Sequence, residues 1–288
     1  MNERGKAGIL RRGGVAVALL GAACQGGCQP RATGATGSQS TAPPAARADA
    51  PADSIAVRGP AGVAADRFPA PSRPVSSIVA PHWSDEDDRD QAGEAERVLA
   101  LAGVQAGTQV ADIGAGDGYY TVRAAPIVGP TGRVWAEDIE ARYLELLRNR
   151  LRTRPQPNVI LALGEPHDPR LPPRSADVAL LIHMYHEIAQ PFGLLYNLYA
   201  SLRPGARVVI LDTTRPTDRH GTPPALLRCE MSAMGYQETR HEATGPGEYV
   251  AVFAPPATPA ALTAPERVAG RLAALGCARI AQQTAGGA

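Results

Sequence analysis

Four short stretches of this chain carry residue types and spacings that point to chemistry. The first is Val110-Ala111-Asp112-Ile113-Gly114-Ala115-Gly116-Asp117-Gly118, an apolar run ending in an acid and then three glycines at alternate positions. Glycine lets the backbone adopt left-handed torsions and pass close to a ligand, where a Cβ would fill the space. Acids recur after two further apolar runs, as Glu137-Asp138 and as Glu165 behind Gly164. The fourth stretch, His183-Met184-Tyr185-His186-Glu187, follows another apolar run and offers two imidazoles. Their unperturbed pKa suits the removal of a proton near neutrality, which makes His183 and His186 the candidate catalytic residues. His183-x-x-His186-Glu187 is not the helical H-E-x-x-H arrangement in which two histidines share a face, so no metal site is expected from it.

These stretches need elements to position them, and the pattern supplies strands and helices in alternation. Residues 109–113, 133–137, 158–163, 177–182 and 207–211 read as strands, the fourth nearly all apolar and hence covered on both faces. Between them, 119–127, 141–152 and the stretch around Leu194, Leu195, Leu198 and Leu202 have helical spacing. Alternation of this kind predicts a parallel sheet with helices on both faces. The end differs, because 236–240 and 248–253 flank Gly245-Pro246-Gly247 as a hairpin would. The expected fold is therefore α/β, a Rossmann-like doubly wound sheet, mostly parallel with an antiparallel C-terminal hairpin. In such sheets ligands gather outside the carboxyl ends of the strands, where all four stretches fall.

A nicotinamide dinucleotide site would need G-x-G-x-x-G, and counting from Gly114 the third glycine position is Tyr119. The run from Asp112 to Gly118 instead resembles the first motif of the class I S-adenosylmethionine-dependent methyltransferases. Val134-Trp135-Ala136-Glu137-Asp138-Ile139, Gly164-Glu165, Ser175-Ala176-Asp177-Val178-Ala179-Leu180-Leu181-Ile182-His183 and Leu202-Arg203-Pro204-Gly205-Ala206-Arg207-Val208-Val209-Ile210 are similar to later motifs of that family, in its order. The resemblance covers residues 84–256. It implies S-adenosylmethionine as cofactor, held by Asp112, Gly114, Gly116, Gly118, Asp138 and Glu165. Asp112 would meet its cationic amino end, Asp138 the two ribose hydroxyls and Glu165 the adenine amino group, leaving Glu137 as a solvated charge. The histidines would then serve a small-molecule methyl acceptor.

Lys and Arg total 29 against 28 for Asp and Glu, which leaves no cationic field for a polyphosphate backbone, and a nucleic-acid partner is not expected. The organisation expected along the chain is a signal segment at 1–23, a disordered Ala/Pro-rich tether at 24–77, the methyltransferase domain at 78–256, and an Ala/Pro-rich tail at 257–288 with a short helix over 265–275. Lys6, Arg11 and Arg12 precede a short apolar run, and Leu19-Leu20-Gly21-Ala22-Ala23-Cys24 resembles the signal of bacterial lipoproteins. That implies an exported protein whose one membrane contact is a lipid on Cys24. A cytoplasmic enzyme is the alternative location. An exported, non-catalytic binding protein for a nucleoside-like ligand is the alternative function. The cysteines at 24, 28, 229 and 277 give no zinc spacing, and Cys229 reads as a small buried hydrophobe.

Overall fold

The computed structural model describes residues 57–78 and 86–285. Five strands run parallel: β1 (Gln109–Ile113), β2 (Arg133–Asp138), β3 (Val159–Leu163), β4 (Ala176–Ile182) and β5 (Leu202–Thr213). They stand in the order β3-β2-β1-β4-β5, and β7 (Glu248–Ala254) adds antiparallel to β5, with β6 (Gln237–Gly245) outside it. Strand order reverses between β1 and β4, whose paired residues run from Val110 with Val178 to Ile113 with Leu181. The crevice at their carboxyl ends is thus the switch point at which open α/β sheets take ligands.

Successive residues of a strand face opposite sides, so each central strand feeds two cores. Ala111, Ile113, Ala179, Leu181, Val208 and Ile210 pack toward α5 (Pro191–Ser201) and α6 (Pro224–Met234). Val110, Val178, Leu180, Val209 and Leu211 pack on the other face toward α2 (Glu94–Leu101) and α3 (Tyr119–Val128). Asp112 shares that second face, which brings it against the first turn of α3. The helix α4 (Ala141–Thr153) lays Leu144 and Leu147 inward beside β2. A short helix, α1 (Glu86–Gln91), precedes α2 and is separated from it by Gly93 in a left-handed conformation.

Both ends depart from the expected organisation. Residues 57–77, expected as tether, are part of the domain. Val57 and β3 exchange hydrogen bonds, Phe68 is buried beside Tyr196, and Asn197 accepts from the Val63 amide. Arg73 pairs with Glu230 at 3.1 Å, both side chains essentially inaccessible, and Tyr185 donates to the same carboxylate. Apolar periodicity does not report a strap of this kind, because single anchors and backbone bonds hold it. The tail is also inside the fold. α7 (Pro265–Leu275) buries Val268 against the first core, and α8 (Cys277–Ala285) follows. Cys229 is not a lone buried hydrophobe, since it forms a disulfide with Cys277 that ties α8 to α6. The expected signal segment at 1–23 and the tether up to residue 56 lie outside the described residues.

Candidate functional site

A cavity of about 280 Å³ opens at the carboxyl edge of β1, β2 and β4. The turn leaving β1 forms its floor. Gly114 and Gly116 both have positive φ, 68° and 59°, where an L side chain is strained. The turn is held from β2: Gly116 donates to Asp138 Oδ2 at 2.8 Å, Gly114 to Glu137 Oε2 at 3.3 Å, and Ala115 to the Glu137 carbonyl at 2.8 Å. Asp138 Oδ1 accepts from the Glu140 amide, and the Ile139 amide also supports the carboxylate. A carboxylate has about four acceptor positions, so capacity for a ligand remains.

The expected cofactor residues divide. Asp112, Gly114, Gly116, Asp138 and Glu165 line the cavity together. Gly118 does not. It caps α3 at φ 93°, and a Cβ there would collide with Leu147 of α4, so the third glycine serves helix packing. Glu165 sits at the rim with Arg170 Nη1 2.9 Å from its Oε1. Glu137 is not the solvated charge the sequence suggested, for only 2% of it is exposed. One oxygen takes the Gly114 amide while the other has no protein partner, lying where a Cβ on Gly164 would strike it. An acid at the end of a strand reads as solvated. Gly164, just past the adjoining strand, is the one sequence hint that this acid turns inward.

Burial outweighs the nearby Arg89 guanidinium in setting the electrostatics. Desolvation, opposed by a 2.6 Å hydrogen bond from Thr121 and reinforced by Asp138, raises the Asp112 pKa to about 6. Burial and Asp138 together hold Glu137 well above the usual carboxylate range, and Asp138 is itself raised, chiefly by burial. Three neighbouring acids that resist ionisation form a pocket that gains most from a positively charged occupant.

The expected histidines face different surroundings. His183 lines the cavity, at a left-handed φ of 53° that a non-glycine residue rarely holds. Its Nε2 is 3.9 Å from Glu94 Oε1 and from Glu248 Oε2. Burial lowers its pKa against the pull of those acids, so it is neutral at pH 7 and able to accept a proton. His186 does not line the cavity; its Nδ1 lies 3.0 and 3.1 Å from the two oxygens of fully buried Asp212. The structure thus does not bring the two histidines together on one acceptor surface. Arg89 completes the wall, stacked over Tyr119 at 3.7 Å and ion-paired to Glu94. No motif marks Arg89 in the sequence.

Comparison with known proteins agrees with this geometry. Residues 111–208, from β1 into β5, match the family model described as "Methyltransferase domain". Over that stretch the chain is similar to methyltransferase domains. A demethylmenaquinone methyltransferase of Geobacillus sp. (strain WCH70) is 26% identical over 122 residues, 42% of this chain and 52% of that one. A ubiquinone/menaquinone biosynthesis C-methyltransferase of Ectopseudomonas mendocina (strain ymp) is 30% identical over 119 residues, 41% of this chain and 46% of its own. The chain spans about half the length of these curated relatives. Among solved structures, a SAM-dependent methyltransferase from Aquifex aeolicus superposes with a TM-score of 0.53 at 20% identity, covering 59% of this chain and 98% of the other. At that identity the likeness speaks for the fold. The Rossmann-like architecture is the one expected, with the antiparallel ending in place.

Proposed function

We propose that the chain transfers the methyl group of S-adenosylmethionine to a small apolar acceptor bound beside His183. The observation that carries this reading is the convergence of Asp112, Gly114, Gly116, Asp138, Glu165 and His183 on one cavity at the switch point of the sheet. The cofactor's chemical contribution is a methyl on a cationic sulfur. The residues fit such a group: the glycines make room for it, Asp138 keeps lone pairs for a diol, and under-ionised Asp112 and Glu137 favour a cation. Ile182, Met184, Ile188 and Leu194 give the remaining wall its apolar character.

Methyl displacement from a sulfonium disperses positive charge, so orientation matters more than an oxyanion hole. His183 is placed to take a proton from an acceptor atom that must lose one. Glu94 and Glu248 then stabilise the imidazolium, each 3.9 Å away in a partly buried setting. The full chain should bind S-adenosylmethionine in a calorimeter. No heat at millimolar ligand removes this reading.

We further propose that the protein works outside the cytoplasm. The lipoprotein-like run before Cys24 motivates this, and the Cys229–Cys277 disulfide supports it, since such bonds persist in oxidising compartments. Cys24→Ser should abolish fatty-acid labelling and release the protein from membranes; unchanged membrane association would refute the anchor.

A further inference from the structure

The histidine that turns away from the cavity belongs to a second constellation. His186 and Glu187 follow β4, and His220 comes from the turn after β5. Glu187 Oε1 is 3.9 Å from His186 Nε2 and 3.8 Å from His220 Nδ1, and the three donor atoms lie within 4.8 Å of one another. The rings of His186 and His220 meet edge to face with centroids 5.5 Å apart. Behind His186, the oxygens of Asp212 lie 3.0 and 3.1 Å from Nδ1.

That second contact is the informative one. Asp212 is completely buried at the end of β5 and also accepts the Thr213 amide. A carboxylate accepts and does not donate, so it fixes the His186 proton on Nδ1 and leaves the Nε2 lone pair facing Glu187 and His220. Carboxylate behind, imidazole between and further donors in front is the arrangement that orients metal-bound histidines. His220 is held by its own backbone: its amide lies 3.3 Å from Ser76 Oγ and its carbonyl accepts from Thr213 Oγ1. We propose that His186, Glu187 and His220 form a site for one divalent cation of the zinc class, with Asp212 as the outer partner of His186.

Two nitrogens and one carboxylate oxygen are the ligand set of three-ligand zinc sites that keep a fourth position open. Bonds of about 2.0–2.2 Å in tetrahedral geometry put donors about 3.4 Å apart, so closure on a metal shortens the two Glu187–histidine separations by about half an ångström and the histidine–histidine one by at most about 1.4 Å. The ligands are 3%, 12% and 23% exposed for His186, Glu187 and His220, which shields the site yet leaves an entry beside His220. Glu187 also lines the cavity, so a bound ion would stiffen the wall shared with the acceptor pocket. Another donor trio, Glu94, His183 and Glu248, is the weaker candidate because the Arg89 guanidinium already holds Glu94 at 2.6 Å. The inference does not depend on the methyl-transfer reading.

Untagged full-length protein, stripped with chelator, should take up one zinc per chain at micromolar concentration in calorimetry, with ICP-MS confirming the stoichiometry. Cobalt should give the visible bands of a tetrahedral site without the ultraviolet thiolate band that binding at Cys24 or Cys28 would produce. His220→Ala, on an exposed turn, should lose the stoichiometric uptake with its melting temperature in the chelated state unchanged. Asp212→Asn should bind 10- to 100-fold more weakly, as loss of an outer partner does, and His183→Ala should bind as the parent does. Absence of saturable binding, survival of it in His220→Ala, loss of it in His183→Ala, or a thiolate spectrum would each overturn the site. Should His186→Ala fail to fold, His220→Ala still decides.

Discussion

The turns after β1 and β4 leave the same edge of the sheet side by side, yet they are secured in opposite ways. The β1 turn is held by its backbone: amides of Gly114 and Gly116 rest on the acids of β2. Those acids both build the turn and face the cavity, so structure and binding are inseparable there. The β4 turn is held from outside. Arg73 of the N-terminal strap reaches the carbonyls of Tyr185 and His186 and pairs with Glu230, while Tyr185 donates to that same acid. The His183 side chain carries little of that scaffolding, meeting Glu94 and Glu248 at 3.9 Å while its backbone amide donates to the Leu211 carbonyl. The lesson is that one side of the cavity tolerates substitution for function alone and the other does not.

The largest effect should come from the side that separates the two. If His183 removes the acceptor's proton, His183→Ala should lower single-turnover rate roughly 10²–10⁴-fold while cofactor affinity stays within about threefold. A normal rate, or lost affinity, would erase the distinction between the turns. Next comes the strap. Arg73→Ala leaves Glu230 buried and uncompensated, which costs about 3–5 kcal/mol in urea unfolding. Replacing both, as Arg73→Met with Glu230→Leu, should return most of that, because an apolar pair has no charge to desolvate. A loss of under 1 kcal/mol in the single variant would show that the strap does not hold the β4 turn.

On the β1 side the expected effects are smaller and mixed. Asp138→Ala should weaken S-adenosylmethionine by roughly 1.5–3 kcal/mol, about ten- to a hundredfold. Because the Gly116 amide loses its acceptor as well, the melting temperature should fall in the same variant. Weakened binding with an unchanged melting temperature would mean that the turn does not rest on Asp138 and would break the comparison from its other end.

How far the sequence reveals each side follows from the same contrast. The β1 side was legible, since a strand, an acid and spaced glycines are local and the partner acids end the next two strands. Even so, Gly118 looks like a ligand glycine and is a packing glycine, because Leu147 arrives from α4. Glu137 looks solvated and is buried by contacts across the sheet. The β4 side was legible only in its histidines. Arg73, Asp212 and His220 come from three separate segments, and no periodicity links them. The alternation of strands and helices was readable because each element's own pattern suffices. The strap at 57–77 and the tail were not, since their order rests on a buried ion pair, isolated anchors such as Phe68 and Val268, and a disulfide.

The subtlest prediction asks whether the β1 acids really trade stability for binding, and pH is the lever. Asp112 titrates near pH 6 in the folded protein against 3.8 for an ordinary aspartate, mainly because burial disfavours its charge. A group raised in this way favours the fold at low pH and loses that contribution as pH rises through 6; at neutral pH its forced ionisation costs up to roughly 3 kcal/mol. Asp112→Asn should therefore raise the melting temperature at pH 7.5, with the gain shrinking toward pH 5 as the parent's carboxyl takes up its proton. Thr121 can still donate to the amide oxygen, so the hydrogen bond at the start of α3 is kept. Binding should move the other way. A cationic ligand end favours the carboxylate, so parent affinity should fall below pH 6 by up to tenfold per unit, while the asparagine variant binds weakly with a flat profile. Parallel melting and calorimetric series from pH 5 to 8 would test both signs at once. A pH-independent affinity in the parent would take Asp112 out of the cation's reach, and a destabilised asparagine variant would show that its charge supports the fold.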